Sequence, residues 1–95
     1  MAEFICDAQV IYWRGPSPYY FAAIPADIGV RIAERSRSVS YGWGVIPVDA
    51  EIKDVAFRTS LFSKDGSYLL PLKAKVRSQL GAMDLEILRI AMTLG

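Results

Sequence analysis

The chain has 95 residues, enough for one domain with one hydrophobic core. Its 11 basic and 10 acidic side chains leave a net charge of +1, a balance that argues against nucleic acid or an anionic membrane as a partner. It contains no histidine, which removes the commonest general base, the commonest metal ligand and any Ser–His or Cys–His nucleophile pair. We therefore expect a protein that is not an enzyme and that uses no cofactor or metal.

The remaining composition bears on location and on how apolar surface is covered. Cys6 is the single cysteine, so no intramolecular disulfide can form, as in proteins of a reducing cytosol. Glu3 and Asp7 stand where a signal peptide would carry positive charge, and the longest apolar run, residues 19–24, is too short to span a bilayer. We expect a cytoplasmic protein without a membrane partner. With 53% hydrophobic residues and a mean hydropathy of +0.25, the chain needs a closed barrel or a subunit interface, such as that of a homodimer.

The first third of the chain predicts two strands and a helix. Apolar and polar residues alternate over residues 4–13, which indicates a strand with one face toward the core. The aromatic run at residues 19–24 predicts a second strand, antiparallel to the first because the connection is short. Pro25 is typical of a helix start, and Ile28 and Ile32 form the apolar stripe of that helix.

The middle of the chain predicts three more strands. The third covers residues 41–52, and Pro47 within it indicates an edge strand or a bulge. A two-residue turn at residues 53–54 leads into the fourth strand, residues 55–62. A four-residue turn at residues 63–66 then closes a hairpin with the fifth strand.

The last third predicts a second helix and a sixth strand. Pro71 is expected to stop the fifth strand, and Leu72, Val76 and Leu80 recur on one face of the helix that follows, with Gly81 as its stop. An apolar strand at residues 85–94 ends the chain. The order β-β-α-β-β-β-α-β predicts a mainly β fold: a single domain over residues 1–95, built as a small six-stranded split β-barrel capped by two short helices.

Several spaced motifs occur together along nearly the whole chain. They are the aromatic strands followed by Ile24-Pro25-Ala26, the Gly42-Trp43-Gly44 start of the third strand, Arg58-Thr59-Ser60-Leu61-Phe62, Tyr68-Leu69-Leu70-Pro71-Leu72-Lys73 with Val76-Arg77, and Asp84. In these motifs the chain resembles a prokaryotic family known as domain of unknown function 1905. The resemblance implies a small split β-barrel with helical caps and almost no chemistry. Lys53, Ser63 and Met83 depart from the family pattern at turns, which affects local geometry.

Arg58 is the first candidate binding residue. It lies in the middle of a predicted strand, where surface charges are less common than in loops, and it shares a strand face with Ser60. One interpretation is that Arg58 and Ser60 line a small polar pocket beside Lys73. The other is that Arg58 lies on an outer sheet face with its aliphatic stem packed on aromatic rings.

Lys73 and Arg77 are the second candidate pair. They are four residues apart at the start of the predicted second helix, where positive charges repel each other and the helix dipole. An anion bound there would relieve the repulsion. Alternatively, both side chains are solvated and paired with acids elsewhere, such as Asp49 or Glu51.

Aromatic residues near strand ends are the third feature. Trp43 and its counterparts Trp13, Tyr19, Tyr20 and Tyr41 could stack on a planar ligand or on nucleic-acid bases, or serve only barrel packing. Our leading prediction is a non-enzymatic module that binds a small anionic ligand or a protein partner. The candidate ligand-binding residues are Arg58, Ser60, Lys73, Arg77 and Trp43. The alternative is a nucleic-acid-binding or transcription-regulatory barrel, in keeping with other small split barrels that bind DNA as dimers.

Overall fold

A computed structural model describes residues 2–16, 19–36, 45–64, 67–81 and 83–95 of the chain. Six strands and two helices occupy these ranges in the predicted order. They are β1 (Phe4–Trp13), β2 (Tyr19–Ala23), α1 (Ala26–Ser36), β3 (Val45–Ile52), β4 (Val55–Lys64), β5 (Ser67–Leu72), α2 (Ala74–Leu80) and β6 (Ile87–Leu94). Neither described helix is long and apolar enough to cross a membrane.

The six strands form a closed antiparallel barrel. Their ring order is β1-β2-β5-β4-β3-β6, and β6 completes the ring because it pairs with β3 on one side and β1 on the other. The antiparallel pairing predicted for the first two strands is also present, with Gln9 opposite Ala23 and Trp13 opposite Tyr19. The predicted mainly β barrel of six strands is therefore confirmed.

The core lies inside the barrel and follows the alternation of each strand. In β1 the even-numbered residues from Phe4 to Val10 are buried while Ile5, Asp7 and Gln9 are exposed. The same period of two continues in β6, where Leu88, Ile90, Met92 and Leu94 are buried. Among the described residues every buried side chain is apolar, so the interior holds no polar group that would need a partner.

Each helix contributes apolar side chains to this core. Helix α1 buries Ile28 and Ile32 as predicted, and it also buries Gly29. A Cβ at Gly29 would lie 3.4 Å from the Ser67 hydroxyl oxygen, so the glycine lets α1 approach β5 closely. Helix α2 buries Val76 and Leu80 and ends at Gly81, whose left-handed φ of 64° gives the expected C-terminal cap.

The turn between β3 and β4 is the two-residue hairpin turn that the sequence predicts. Lys53 and Asp54 both have positive φ, 49° and 66°, as the twist-matched hairpin turn requires. Pro47 was expected to mark an edge strand or a bulge. The edge assignment is wrong, because β3 has a neighbour on each side. Pro47 lies just outside the paired stretch with β6, and its carbonyl accepts the amide hydrogen of Gly95 at 2.8 Å.

The expected end of the fifth strand is wrong. Pro71 lies inside β5, opposite Phe21, and the strand continues to Leu72. Leu72 is buried because the inward alternation of β5 carries it into the core, so it belongs to the strand, and α2 begins at Ala74. Only the last two members of the predicted apolar stripe therefore lie on the helix.

Two other boundaries differ from the prediction. The fourth strand extends to Lys64, which pairs with Ser67, so Ser63 and Lys64 belong to the strand and not to a four-residue turn. The sixth strand begins at Ile87, because Leu85 has a left-handed φ of 69° that no continuous strand accommodates. The predicted start of the third strand at residues 41–44 and the turn glycine at residue 66 lie outside the described residues.

Candidate ligand-binding site

A pocket of about 390 Å³ lies where the β1–β2 hairpin meets the start of α2. Two inward tyrosines, one outward tyrosine, two small or apolar residues and one arginine line it. They are Tyr12, Tyr20, Tyr19, Leu72, Ala74 and Arg77. The pairing of β1 with β2 sets Tyr12 opposite Tyr20, and the pairing of β2 with β5 sets Tyr20 opposite Leu72. The adjacent strands β1, β2 and β5 therefore form one wall of the pocket, and α2 forms the other.

The Arg77 side chain contacts one of the tyrosine rings. The Tyr12 and Tyr20 ring centroids lie 4.6 Å apart with a 43° tilt. The Arg77 guanidinium carbon lies 4.3 Å from the Tyr20 centroid, within the range of a cation–π contact. A second guanidinium, that of Arg14, lies 5.3 Å from the Tyr12 centroid. The pocket therefore has two cations at tyrosine faces, of which Arg77, half-buried, belongs to the lining.

The electrostatics of this pocket favour an anion. Within the described ranges, no carboxylate lines it and no ion pair gives Arg77 an acidic partner. Burial raises the pKa of the Tyr19 phenol, so this hydroxyl stays protonated near neutral pH and can donate a hydrogen bond. The lining thus offers hydrogen-bond donors and a fixed positive charge.

Arg58 and Ser60 lie elsewhere, on the outer face of the barrel wall. Arg58 is directly opposite Asp49 in the β3–β4 pair, and its Nη1 atom lies 3.0 Å from the Asp49 Oδ2 atom. Its Nη2 atom donates to the carbonyl oxygen of Gly95 at 3.0 Å. Ser60, two residues along on the same face, is opposite Pro47. Neither lines the tyrosine pocket, and their proposed binding role stays a prediction.

Lys73 and Arg77 both lie at the junction between β5 and α2, but only Arg77 faces the pocket. Lys73 is the N-cap residue, with extended backbone angles and an exposed side chain. Arg77 lies four residues later, where its side chain reaches Tyr20. Trp43, the fifth predicted residue, lies outside the described residues.

Sequence reasoning did not identify Tyr12 as a pocket residue, and it assigned Leu72 to the helix instead of the strand. The signal for Tyr12 was present, because the alternation of β1 places it on the same face as Val10. Nothing in the one-dimensional sequence paired it with Tyr20, since that contact depends on the register of the hairpin.

A second, smaller pocket adjoins the first on the outer wall of the barrel. It has a volume of about 210 Å³ and is lined by Trp13, Phe21, Phe62, Lys64 and Leu69. The Lys64 ammonium lies 4.0 Å from the Trp13 ring centroid, and Phe62 meets Phe21 edge to face at 5.3 Å. Tyr19 joins the two pockets, because its ring lies 5.3 Å from that of Phe21. Among the described residues, this lining also contains no carboxylate.

The described residues form neither a cluster of metal ligands nor a reactive thiol. No group of three His, Cys, Asp or Glu side chains there converges as metal ligands would. Cys6 is buried on the inward face of β1, and burial, with Asp7 and Asp27 adding to it, raises the pKa of its thiol to about 11. A thiol with so high a pKa is a poor nucleophile near neutral pH.

A comparison with protein families identifies the family to which this chain belongs. A family described as "Domain of unknown function (DUF1905)" matches residues 7–84. The chain belongs to the DUF1905 family. The matched range contains every lining residue of both pockets of this DUF1905 protein. No curated protein matches the chain.

Proposed function

We propose that this DUF1905 protein is a non-enzymatic binding module and that the tyrosine pocket holds a small anion carrying a planar ring. One observation carries the proposal: Arg77 is half-buried and lies against the Tyr20 ring, and the described lining residues include no carboxylate. A guanidinium stacked on a ring keeps its N–H edge available, and that edge matches the oxygens of a carboxylate or phosphate.

The tyrosines support the planar part of the ligand. Tyr12, Tyr19 and Tyr20 present ring surface with a polar tip, which suits a partner that is aromatic on one side and polar on the other. A volume of about 390 Å³ is within the range of small-molecule sites. An aromatic carboxylate or a mononucleotide has this combination of ring, charge and size.

Single-stranded nucleic acid is the second candidate, and the adjoining pocket favours it. There Lys64 and Trp13 repeat the pairing of a cation with an aromatic face that Arg77 and Tyr20 make. Bases stacked on aromatic side chains with phosphates beside cations are the usual arrangement in single-strand binding. The near-zero net charge of the whole chain counts against this candidate.

The test is a thermal-shift and calorimetric screen of the purified protein with phosphate, benzoate, mononucleotides and a short oligothymidylate. A ligand present at about 100 times its dissociation constant adds about 2.7 kcal/mol to the unfolding free energy if it binds only the folded state. We expect a mononucleotide or an aromatic carboxylate to give such a shift.

Variants then locate the site. Arg77→Ala should abolish the shift, whereas Lys75→Ala, an exposed change of equal charge on the same helix, should leave it intact. Loss of the shift in Arg58→Ala, with Arg77→Ala unaffected, would instead place the site at Arg58. A gain of affinity from mononucleotide to oligothymidylate that depends on Lys64 would favour single-stranded nucleic acid. If none of these compounds shifts the unfolding temperature or gives a binding signal, the proposal is wrong.

A further inference from the structure

We propose that the outer face of β1 and β6, with the loop before β6, is the contact surface for a second copy of this chain. We call it the β6 face and define it by Ile5, Met83, Leu85, Ile87 and Ala91. The proposal goes beyond ligand binding and does not depend on it, because none of these residues lines either aromatic pocket.

Exposed apolar side chains concentrate on this face. Ile5, Met83, Leu85 and Ile87 are 60%, 70%, 64% and 65% exposed, and they are four of the six large hydrophobic residues found exposed within the described ranges. The strand register places Ile5 opposite Ala91 and Ile87 opposite Gln9, so the two isoleucines lie on the same outer face, on either side of the Asp7–Arg89 ion pair. Exposed apolar side chains that concentrate on one face of a soluble protein often mark an interaction site.

The loop that carries Met83 and Leu85 is held in place by hydrogen bonds. Leu85 donates its amide hydrogen to the Val10 carbonyl, and Val10 donates its own to the Glu86 carbonyl, both at 2.7 Å. The Glu86 carboxylate accepts the amide hydrogen of Met83 at 3.1 Å. The side chain of Gln9 donates to the Leu85 carbonyl at 3.3 Å. Two large apolar side chains are therefore presented to solvent by an ordered backbone.

Charged side chains of both signs lie among these apolar residues. A groove of about 470 Å³ runs along the β6 face, and its lining includes Glu51, Lys53, Asp54 and Arg89 in addition to Ile5, Ile87 and Ala91. Arg89 is paired with Asp7 in its own chain, yet its side chain is 74% exposed and retains donors for a second carboxylate. No ion pair within the described ranges involves Glu51 or Asp54.

This distribution selects a second copy as the occupant. In a two-fold contact the same patch meets itself, so the unpaired carboxylates of Glu51 and Asp54 in one copy face Arg89 in the other. A partner of a single charge sign would instead meet like charges along the groove.

Sedimentation velocity over a range of protein concentrations tests the proposal. The chain has a mass of 10.5 kDa, and the wild-type protein should sediment as a species of twice that mass. Ile87→Glu and Leu85→Glu should each raise the dimer dissociation constant at least tenfold, because each replaces an apolar contact side chain with a charge. Both side chains lie outside the core, so folding should survive, and circular dichroism checks this.

Matched controls make the result specific. Val30→Glu adds the same charge at a side chain 61% exposed on α1 and should leave the dimer intact. Glu51→Arg should weaken the dimer, and Glu51→Arg with Arg89→Glu should restore part of the affinity, since charges that meet across a two-fold axis can be exchanged. A wild-type protein that stays monomeric at millimolar concentration overturns the proposal. So does a dimer that Ile87→Glu leaves unchanged or that Val30→Glu disrupts equally.

Discussion

Arg58 and Arg77 are the same residue type with different surroundings. Both stood out in the sequence because each lies where a positive charge needs an explanation. Arg58 lies directly opposite Asp49 in the strand pair and forms an ion pair with it. Arg77 has a ring on one side and, within the described residues, no acid to pair with, so it remains available to an anion. The two arginines therefore differ in whether the guanidinium is available to bind an anion.

The Cys6 thiol should be unreactive in the folded protein. Its pKa is raised to about 11 by burial and by the nearby Asp7 and Asp27 carboxylates. At about pH 8 the thiolate, which is the reactive form, is scarce in the native state, so a thiol reagent should modify Cys6 only after denaturation. The measurement is the modification rate with and without denaturant. Rapid stoichiometric labelling of the native protein would show that the first strand opens easily.

Glu3 should stabilise the fold through two contacts. Its Oε1 atom accepts the amide hydrogen of Leu94 at 3.0 Å, and its Oε2 atom lies 2.8 Å from the Arg35 Nε atom. Glu3→Ala leaves the partly buried Leu94 amide unpaired and should lower the free energy of unfolding by about 1–2 kcal/mol. Glu3→Gln keeps an acceptor and should lose less. Urea denaturation measures both, and equal losses would mean that the amide contact contributes nothing.

At the scale of the elements, the loop before β6 should give the protein part of its acid sensitivity. The pKa of Glu86 is lowered, first by the hydrogen bond from the Met83 amide and then by the one from Lys53. A lowered pKa means that the contribution to stability is present above the ordinary pKa of a glutamate and disappears as the pH falls through the folded-state value. Unfolding midpoints measured from neutral to acidic pH should fall less steeply for Glu86→Gln than for the wild type. Parallel curves would contradict this.

Side chains on opposite faces of β6 should differ sharply in their effect on stability. Ile90 is fully buried, whereas Ile87 is 65% exposed on the same strand. Ile90→Ala should therefore cost about 2–5 kcal/mol through lost burial and a cavity. Ile87→Ala, measured at a concentration where the protein is monomeric, should stay within about 0.5 kcal/mol of the wild type. Chemical denaturation of the two variants decides this, and similar losses would mean that the strand register is different.

Most elements could be predicted because their periodicity is local. Alternation in residues 4–13 predicted β1 to the residue, and the Lys53–Asp54 turn was recognisable from its neighbours. The boundaries that failed depend on distant partners. Pro71 remains in a strand because Phe21 lies opposite it, and Leu85 leaves the strand because its backbone bonds to Val10. Neither contact can be predicted from the neighbouring residues in the sequence.

At the scale of the whole molecule, the candidate site could be predicted only in part. The charged and aromatic residue types were visible, and Arg77 was among them. The tyrosine pocket itself is assembled from three strands and a helix, so its composition depends on ring order and register. The face that surrounds Arg58 was predictable from the strand period, but the presence of Asp49 across from it was not.

Closure of the barrel by β6 has a consequence for synthesis of the protein on the ribosome. β1 is translated well before β6, yet the two strands are neighbours in the barrel, with Phe4 opposite Met92. β3 also lacks one of its two neighbours until β6 has been translated. Until β6 emerges, a nascent chain carries two strand edges with unpaired amides, and such edges invite pairing with other chains. Ribosome-bound chains stalled before residue 87 should therefore recruit chaperones more strongly than chains released after the last strand has joined the ring.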